Sequence, residues 1–386
     1  MGVERFVRKQ AVARLWRWRV VVYLVLGLLA LDRAMAARAA LWRAYDPQFS
    51  RDRVRYAKHR VWDLVIAGGS PAMCVDSGDL KGLVWQGRRL DRTLNLAVPY
   101  ATTTDVYHTI EHGLPTPPAL LVYAIAVTDL NGARIEAMSP DWLMDRRDIG
   151  RWVSAHPENT ELCLRHYLQE RLARGCALCY WRDGIRRWAA DEAEALCPGF
   201  CPDAAREARE RLGDSAALQA GIDFHPARPV PPRYRYNLRK ASGEVLGRFG
   251  PMEKYDPQGH LPYLEAIVDW TEQHHCPLLL VNVPVTHDLE QTYPEAFTSY
   301  RRVLLKLQGR RDVRVILATR DDVGLTDADY EDQLHLNGDG SLRYGAWLRR
   351  TVSALSASQR EESSQVVPAV PLSHRSVQGL KASGAS

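Results

Sequence analysis

Five short apolar runs alternate with longer amphipathic stretches along the chain. The runs are rich in β-branched residues and comprise Trp62–Ala67, Thr93–Val98, Ala119–Val127, Leu278–Val283 and Val313–Ala318. Short buried runs separated by helical segments are typical of a parallel sheet that is covered on both faces. The pattern therefore predicts an α/β protein, a three-layer α/β/α domain built on a five-stranded parallel sheet. Domains of this kind bind ligands at the carboxyl ends of their strands.

The spacing of the runs also predicts how the chain is organised. The α/β domain is expected over 61–355, ending in a helix that follows Asn337-Gly338 and stops near Leu355. The third and fourth runs lie much further apart than one crossover helix requires, which predicts a mostly helical insertion over about 140–262. The stretch 356–386 is polar and has no periodicity, so it is predicted to be disordered.

The N-terminus combines basic residues with an uncharged run. Residues 1–19 form a basic tail, and Val20–Leu31 carries no charge, which predicts a signal-anchor helix over 20–37 and a juxtamembrane segment over 38–60. The positive flank places the tail in the cytoplasm and the domain outside, in the periplasm or at the cell surface. Two alternatives remain: a signal peptide cleaved near Ala34-Met35-Ala36, and a buried core helix.

Composition narrows the functional classes. The chain has 386 residues, of which 46% are hydrophobic and 25% charged, as in ordinary globular proteins. The net charge is +5, but much of the excess lies in the basic tail, so it indicates membrane topology and no nucleic-acid partner. The charge pattern therefore predicts that the protein is attached to a membrane through its N-terminal helix.

Four of the seven cysteines are clustered in the insertion. Cys176 and Cys179 are followed about 17 residues later by Cys197 and Cys201, close to the spacing of a four-thiolate zinc site. Export favours disulfides instead, because exposed thiolates outside the cell are oxidised. Disulfides, structural zinc and unpaired packing cysteines are the three alternatives.

Two motifs suggest a nucleophile and a base. The first predicted strand ends in Gly68-Gly69-Ser70-Pro71, so Ser70 stands between a strand and a helix start, where a helix-capping serine is also common. Asp332 precedes His335 by three residues, a spacing at which the carboxylate can orient the imidazole. Serine, histidine and aspartate form the minimum set for acyl transfer through a serine.

With these motifs the chain resembles the SGNH (GDSL-type) hydrolase family. The first family block resembles the segment from Ile66 to Ser70, with Gly69 where many members have Asp. The last block resembles the segment from Asp332 through His335 to Gly340, and the resemblance covers about 61–355 without the insertion. It implies a flavodoxin-like α/β/α fold in which Ser70 is the nucleophile, His335 the base and Asp332 the orienting carboxylate, with no cofactor.

The two middle blocks depart from the family pattern. The second resembles Asn95-Leu-Ala97, where Ala97 replaces a glycine whose N–H group helps to form the oxyanion hole. The third corresponds to the segment from Ala126 to Asp129, where Thr128 replaces an asparagine. The resemblance implies that the N–H groups of Ser70 and Ala97 hold the oxyanion, with Thr128 or Asn131 as a further donor. Losing one such donor costs about 2.7–4 kcal/mol of transition-state stabilisation.

The topology narrows the resemblance to extracytoplasmic SGNH-like proteins that assist acylation of cell-envelope polymers. Examples are alginate acetyltransferases and the teichoic-acid D-alanylation protein, which work beside a membrane-bound O-acyltransferase. The resemblance implies a membrane-anchored esterase or O-acyltransferase whose partners are an acylated glycan or envelope polymer and such an acyltransferase. A non-catalytic accessory or binding protein with the same fold is the alternative, favoured by the missing asparagine.

The remaining candidates have structural alternatives. Asn95 and Asn282, which end the second and fourth predicted strands, are candidate substrate-binding residues, although strand-end asparagines also satisfy loop backbone. The segment from His108 through Glu111 to His112 matches the His-x-x-Glu-His pattern of inverted zinc peptidases. No third ligand segment is identifiable, so the polar face of a helix is the favoured interpretation and no metal ligand is predicted.

Overall fold

The computed structural model describes residues 2–45, 49–98, 101–132, 175–219 and 252–364, with short stretches between 149 and 168. The strands are β1 (Leu64–Ala67), β2 (Leu83–Trp85), β3 (Arg88–Leu90), β4 (Thr93–Asn95), β5 (Leu120–Ile125), β6 (Leu278–Asn282) and β7 (Val313–Ile316). The helices are α1 (Gly2–Ala37), α2 (Ala39–Tyr45), α3 (Phe49–Lys58), α4 (Thr103–Gly113), α5 (Ala177–Tyr180), α6 (Arg182–Leu196), α7 (Pro202–Gln219), α8 (Leu261–Gln273), α9 (His287–Thr292), α10 (Pro294–Lys306), α11 (Arg320–Val323) and α12 (Gly338–Ser364).

The main sheet confirms the predicted fold class. Its five strands are all parallel, in the order β4-β1-β5-β6-β7, and each arises from one of the five predicted runs. In chain order this arrangement is 2-1-3-4-5, the order of flavodoxin-like sheets. Helices α3, α4, α8 and α10 bury one face, and α12 buries the other, so the domain has three layers. The direction in which successive strands are added to the sheet reverses between β1 and β5, and β1 is the strand that leads to Ser70.

A small hairpin was not predicted from the sequence. Strands β2 and β3 pair antiparallel and are joined by Gln86 and Gly87, both with positive φ, as a tight two-residue hairpin requires. The hairpin buries Trp85 and Leu90 against the α12 face of the sheet. It takes the place of a crossover helix between β1 and β4, and its three-residue strands are too short to give a periodic signal.

The N-terminal helix α1 is long and apolar enough to span a membrane. The span covers Trp18–Ala37, with a mean hydropathy of 2.0, and none of its most apolar window is buried inside the protein. The alternative of a buried core helix is therefore wrong. A hydrophobic surface of this size on a single helix fits a lipid environment.

Residues 177–219 of the predicted insertion form the helices α5 to α7 and pack beside the end of α1, whereas Met252, near the predicted end of the insertion, is buried in the core of the sheet. Trp42 of α2 is buried between Trp181 and Trp188, and its indole N–H donates to Met35 O at 2.8 Å. The backbone N–H of Leu178 donates to Asp32 Oδ1 at 3.1 Å. The aromatic residues of α2 and of α5 to α7 therefore form the core of a small helical layer.

Two predicted boundaries differ from the structure. The final helix α12 continues to Ser364, so disorder was predicted wrongly for 356–364; residues 365–386 lie outside the described part of the chain. The juxtamembrane segment also contributes to the domain, since α3 packs on α4 and buries Ala57 in the core of the sheet. Amphipathic packing at both positions offsets the weak local helix signal.

The six described cysteines are all free thiols, and Cys176, Cys179, Cys197 and Cys201 form no metal-holding group among the described residues. The structure therefore favours unpaired packing cysteines over disulfides or a zinc cluster. Cys74 and Cys276 are buried in the two faces of the sheet, and burial raises the pKa of each thiol to about 12. Both are therefore inert packing residues.

Candidate active site

Ser70 stands at the carboxyl end of β1, as the sequence predicts. It begins a 3₁₀ turn, Ser70–Cys74, with Pro71 in its first positions. Gly69 precedes it because no side chain fits there: a Cβ would lie 2.6 Å from Asp129 Oδ1 and 3.0 Å from Ala101 O. The carboxylate of Asp129, which follows β5, thus occupies the space that an aspartate at position 69 would need.

The loop before α12 holds the predicted base and its orienting carboxylate. Asp332 accepts the backbone N–H groups of Leu334 at 2.7 Å and His335 at 2.8 Å through Oδ1. Its Oδ2 lies 2.7 Å from His335 Nδ1. Burial alone would raise the pKa of Asp332, but the hydrogen bond and charge of His335 and the two backbone donors hold it below its usual value. The carboxylate is therefore ionised and fixes the imidazole.

The far side of the same imidazole reaches Ser70. His335 Nε2 lies 2.8 Å from Ser70 Oγ, although the two residues are 265 positions apart in the chain. With Nδ1–H donated to Asp332, Nε2 is the acceptor that can take the serine proton. The structure thus joins the three predicted residues in one relay, with Ser70 and His335 partly accessible.

Contacts with the end of β6 and with α12 hold the histidine loop in place. Thr286 donates its N–H to Gln333 O at 3.1 Å, and the Tyr330 hydroxyl donates to Val285 O at 3.1 Å. Gly340 lets α12 approach the loop, because a Cβ there would overlap the carbonyl oxygen of Asp329. The glycine that closes the last motif therefore has a packing reason of its own.

Asn95, predicted to bind substrate, instead fastens the Ser70 turn. Its Nδ2 donates to Ala72 O at 3.0 Å and to Val75 O at 2.7 Å, and its Oδ1 accepts the Ala97 N–H at 2.8 Å. The side chain is buried, and these backbone groups engage its amide. The structure corrects the prediction: Asn95 is a positioning residue.

Asn282 likewise has a structural role. Its amide donates to Ala318 O at 2.7 Å and accepts the Ala318 N–H, so it ties the end of β6 to the end of β7. This is the strand-end role that the sequence left as the alternative, and these contacts favour it over substrate binding.

The four predicted oxyanion donors differ in what they offer. The Ser70 N–H has no acceptor among the described residues, whereas the Ala97 N–H is engaged by Asn95 and is not available in this arrangement. Thr128 is 0% exposed and its hydroxyl finds no partner in the described part of the chain. Asn131 is also fully buried, with Nδ2 4.0 Å from Met252 Sδ. The Ser70 N–H and the Thr128 hydroxyl are thus the two groups without a partner among the described residues, and the Ser70 N–H is the one that belongs to the nucleophile itself.

One residue near the site was missed. Arg53 of α3 is buried and donates Nη1 to Asn95 O at 3.4 Å and to Ala97 O, behind the strand end that Asn95 organises. It lies in the segment predicted to be juxtamembrane, and no motif marks it. Only the packing of α3 on α4 reveals the contact.

Comparison with known proteins adds no identification. No family model matches the chain, and no curated protein matches it. The resemblance to SGNH hydrolases rests on the motif residues quoted above.

Proposed function

We propose that this protein is an SGNH-like serine acyl-transfer enzyme. Ser70 attacks an acyl ester, His335 takes the serine proton and returns it to the leaving alcohol, and Asp332 orients the imidazole and stabilises its charged form. Water or a second hydroxyl then takes the acyl group from Ser70. The observation that carries the proposal is the continuous set of short contacts from Asp332 through His335 to Ser70.

The proposed substrate is an acylated glycan or envelope polymer outside the cytoplasmic membrane. The apolar helix α1 fits a membrane anchor, and the basic residues before it favour a cytoplasmic N-terminus. This topology puts the site on the side of the membrane where envelope polymers lie. The motif resemblance suggests a membrane-bound O-acyltransferase as the partner that supplies acyl groups.

A second candidate function is a non-catalytic acyl-polymer-binding protein of the same complex. The occupied Ala97 N–H and the threonine at position 128 favour it, because both weaken the oxyanion side of the site. Under this alternative the relay persists while turnover is slow. Serine reactivity and ester hydrolysis, measured separately, distinguish the two.

The test is covalent labelling of the full-length protein in detergent with a fluorophosphonate probe. We expect labelling of the wild type, and none after Ser70→Ala or His335→Ala. Ser353→Ala and His287→Ala, which change exposed residues on α12 and α9, are matched controls that should label normally. Circular dichroism checks that every variant is folded.

The absence of labelling in folded wild-type protein would overturn the catalytic proposal. Labelling without hydrolysis of acetylated or other acylated glycans, alone or with a membrane fraction that holds the acyltransferase, would favour the accessory function.

A further inference from the structure

Helix α4 brings two histidines and a glutamate together, away from the serine relay. His108, Glu111 and His112 follow the i, i+3, i+4 spacing, and one ligand atom from each lies within 4.8 Å of the others. The prediction that this segment is the polar face of a helix is wrong for His108, which is 0% exposed and lies against Tyr107 and Tyr263. The buried imidazole of His108 therefore lies beside a carboxylate and a second imidazole, which are both groups that can bind a metal ion.

The geometry is close to that of a three-residue metal site. Glu111 Oε2 is 3.9 Å from His108 Nδ1 and 3.9 Å from His112 Nε2, and the two imidazole rings are nearly parallel. Zinc bonds of about 2.0–2.2 Å in a tetrahedral arrangement separate neighbouring ligand atoms by roughly 3.3 Å. The two pairs that include Glu111 must therefore close by about half an ångström, and the His108–His112 pair, whose ligand atoms lie within 4.8 Å, by up to about 1.5 Å. Side-chain rotation supplies movements of this size without a change of backbone.

We propose that α4 binds one divalent cation of the zinc class through His108 Nδ1, Glu111 Oε2 and His112 Nε2. Two imidazoles and a carboxylate suit Zn²⁺ or Co²⁺ and do not suit Mg²⁺ or Ca²⁺, which prefer all-oxygen ligands. Tyr107 donates its hydroxyl to Glu111 Oε1 at 2.9 Å, which leaves Oε2 facing the histidines. Glu111 and His112 are each about a third exposed, whereas the ligand nitrogens of His108 and His112 are covered. The ion therefore reaches the nitrogens past the Glu111 carboxylate, and water completes its coordination.

The ion has a structural consequence for the serine site. All three ligands lie on one helix, so binding stabilises the folded form of α4 over its unfolded forms. The N-terminus of α4 follows Ala101, whose carbonyl approaches Gly69 beside the nucleophile. The cation therefore stabilises a helix that begins close to the Ser70 turn, and it takes no part in acyl transfer.

The test is titration of the metal-free, full-length protein, without a polyhistidine tag, with Co²⁺ and then Zn²⁺. We expect one equivalent of Co²⁺ to give the visible absorption of a low-coordinate nitrogen–oxygen site, and Zn²⁺ to displace it. His112→Ala and Glu111→Gln change accessible ligands and should each weaken binding on the order of tenfold or more. His287→Ala removes an exposed histidine from α9 and should bind as the wild type does.

Binding that is absent in folded wild-type protein, or unchanged by His112→Ala, would overturn the proposal. Loss of the absorption in both ligand variants, with serine labelling retained, would establish the site independently of the proposed acyl-transfer function.

Discussion

A network around a buried carboxylate lies at each end of strand β1, and the two networks differ in chemistry. At the amino end, Asp63 accepts hydrogen bonds from Arg88 at 2.6 Å, from the Arg92 N–H at 2.9 Å and from the Asp91 N–H at 3.2 Å. At the carboxyl end, the carboxylate of Asp332 contacts Nδ1 of His335, and Nε2 of the same imidazole contacts the hydroxyl of Ser70. One network ends in fixed cations, and the other ends in an accessible hydroxyl.

The difference shows that the partner of a buried carboxylate decides whether the network can move a proton. Burial would raise the pKa of Asp63, but hydrogen bonds from Arg92 and Arg88 outweigh it and lower the pKa to about 2. Guanidinium groups hold their protons throughout the physiological range, so this network cannot move a proton. Asp332 instead contacts a histidine, a side chain that can gain and lose a proton, as the proposed acyl transfer requires.

The largest expected effect separates the two carboxylates by activity. Asp332→Asn keeps an acceptor for the backbone donors but presents an amide N–H to His335 Nδ1, which favours the wrong tautomer. We expect the fluorophosphonate labelling rate to fall about 10⁴-fold. Asp339→Asn, an exposed neighbour in the first turn of α12, is the control and should leave the rate within a factor of two or so. Equal rates in both variants would remove Asp332 from the relay.

The next prediction concerns the backbone that carries Ser70. Asn95→Ala leaves Ala72 O, Val75 O and the Ala97 N–H without this partner, and each loss costs about 1–3 kcal/mol. We expect the free energy of unfolding to fall by about 3 kcal/mol, and labelling to slow in the protein that remains folded.

Asn282→Ala is the matched control, because its amide also clamps backbone but joins β6 to β7. It should destabilise the protein while leaving the labelling rate of the folded fraction unchanged. If both asparagine variants label at the wild-type rate, Asn95 has no positioning role.

The oxyanion side is tested by Thr128→Val, which removes the buried, unpartnered hydroxyl at nearly constant volume. If the hydroxyl donates to the oxyanion, labelling should slow by about 10²-fold, while stability stays the same or rises because no native hydrogen bond is lost. Thr109→Val on α4 removes a hydroxyl that bonds Asp105 O and should lower stability alone. An unchanged labelling rate in Thr128→Val would leave Ser70 N–H as the sole described donor.

The smallest effect belongs to the amino end of β1 and depends on pH. The pKa of Asp63 is lower in the folded state, so its contribution is fully present above about pH 4 and is lost as the pH falls through about 2. Asp63→Asn should therefore lower the free energy of unfolding by about 2 kcal/mol at neutral pH and by less at pH 3, with labelling unchanged. Asp91→Asn, whose carboxylate pairs with exposed Arg89, should have little effect at either pH.

Short-range patterns determined most of the α/β core. The five apolar runs predict five strands because a buried parallel strand is continuous in hydrophobicity, and each run appears in the main sheet. Asp332 and His335 are three residues apart, so one turn is enough to join them. The residues of the relay could therefore be named from sequence.

Only the tertiary structure decided which side chains are left for substrate. Asn95 and Asn282 each end a strand, and the carbonyl groups that accept from their amides belong to other strands and turns. The burial of His108, the hairpin in place of a crossover helix and the reach of Arg53 to Ala97 O also depend on segments distant in sequence. Local periodicity specifies which face of an element is apolar, whereas the saturation of a polar group depends on the atoms that folding brings beside it.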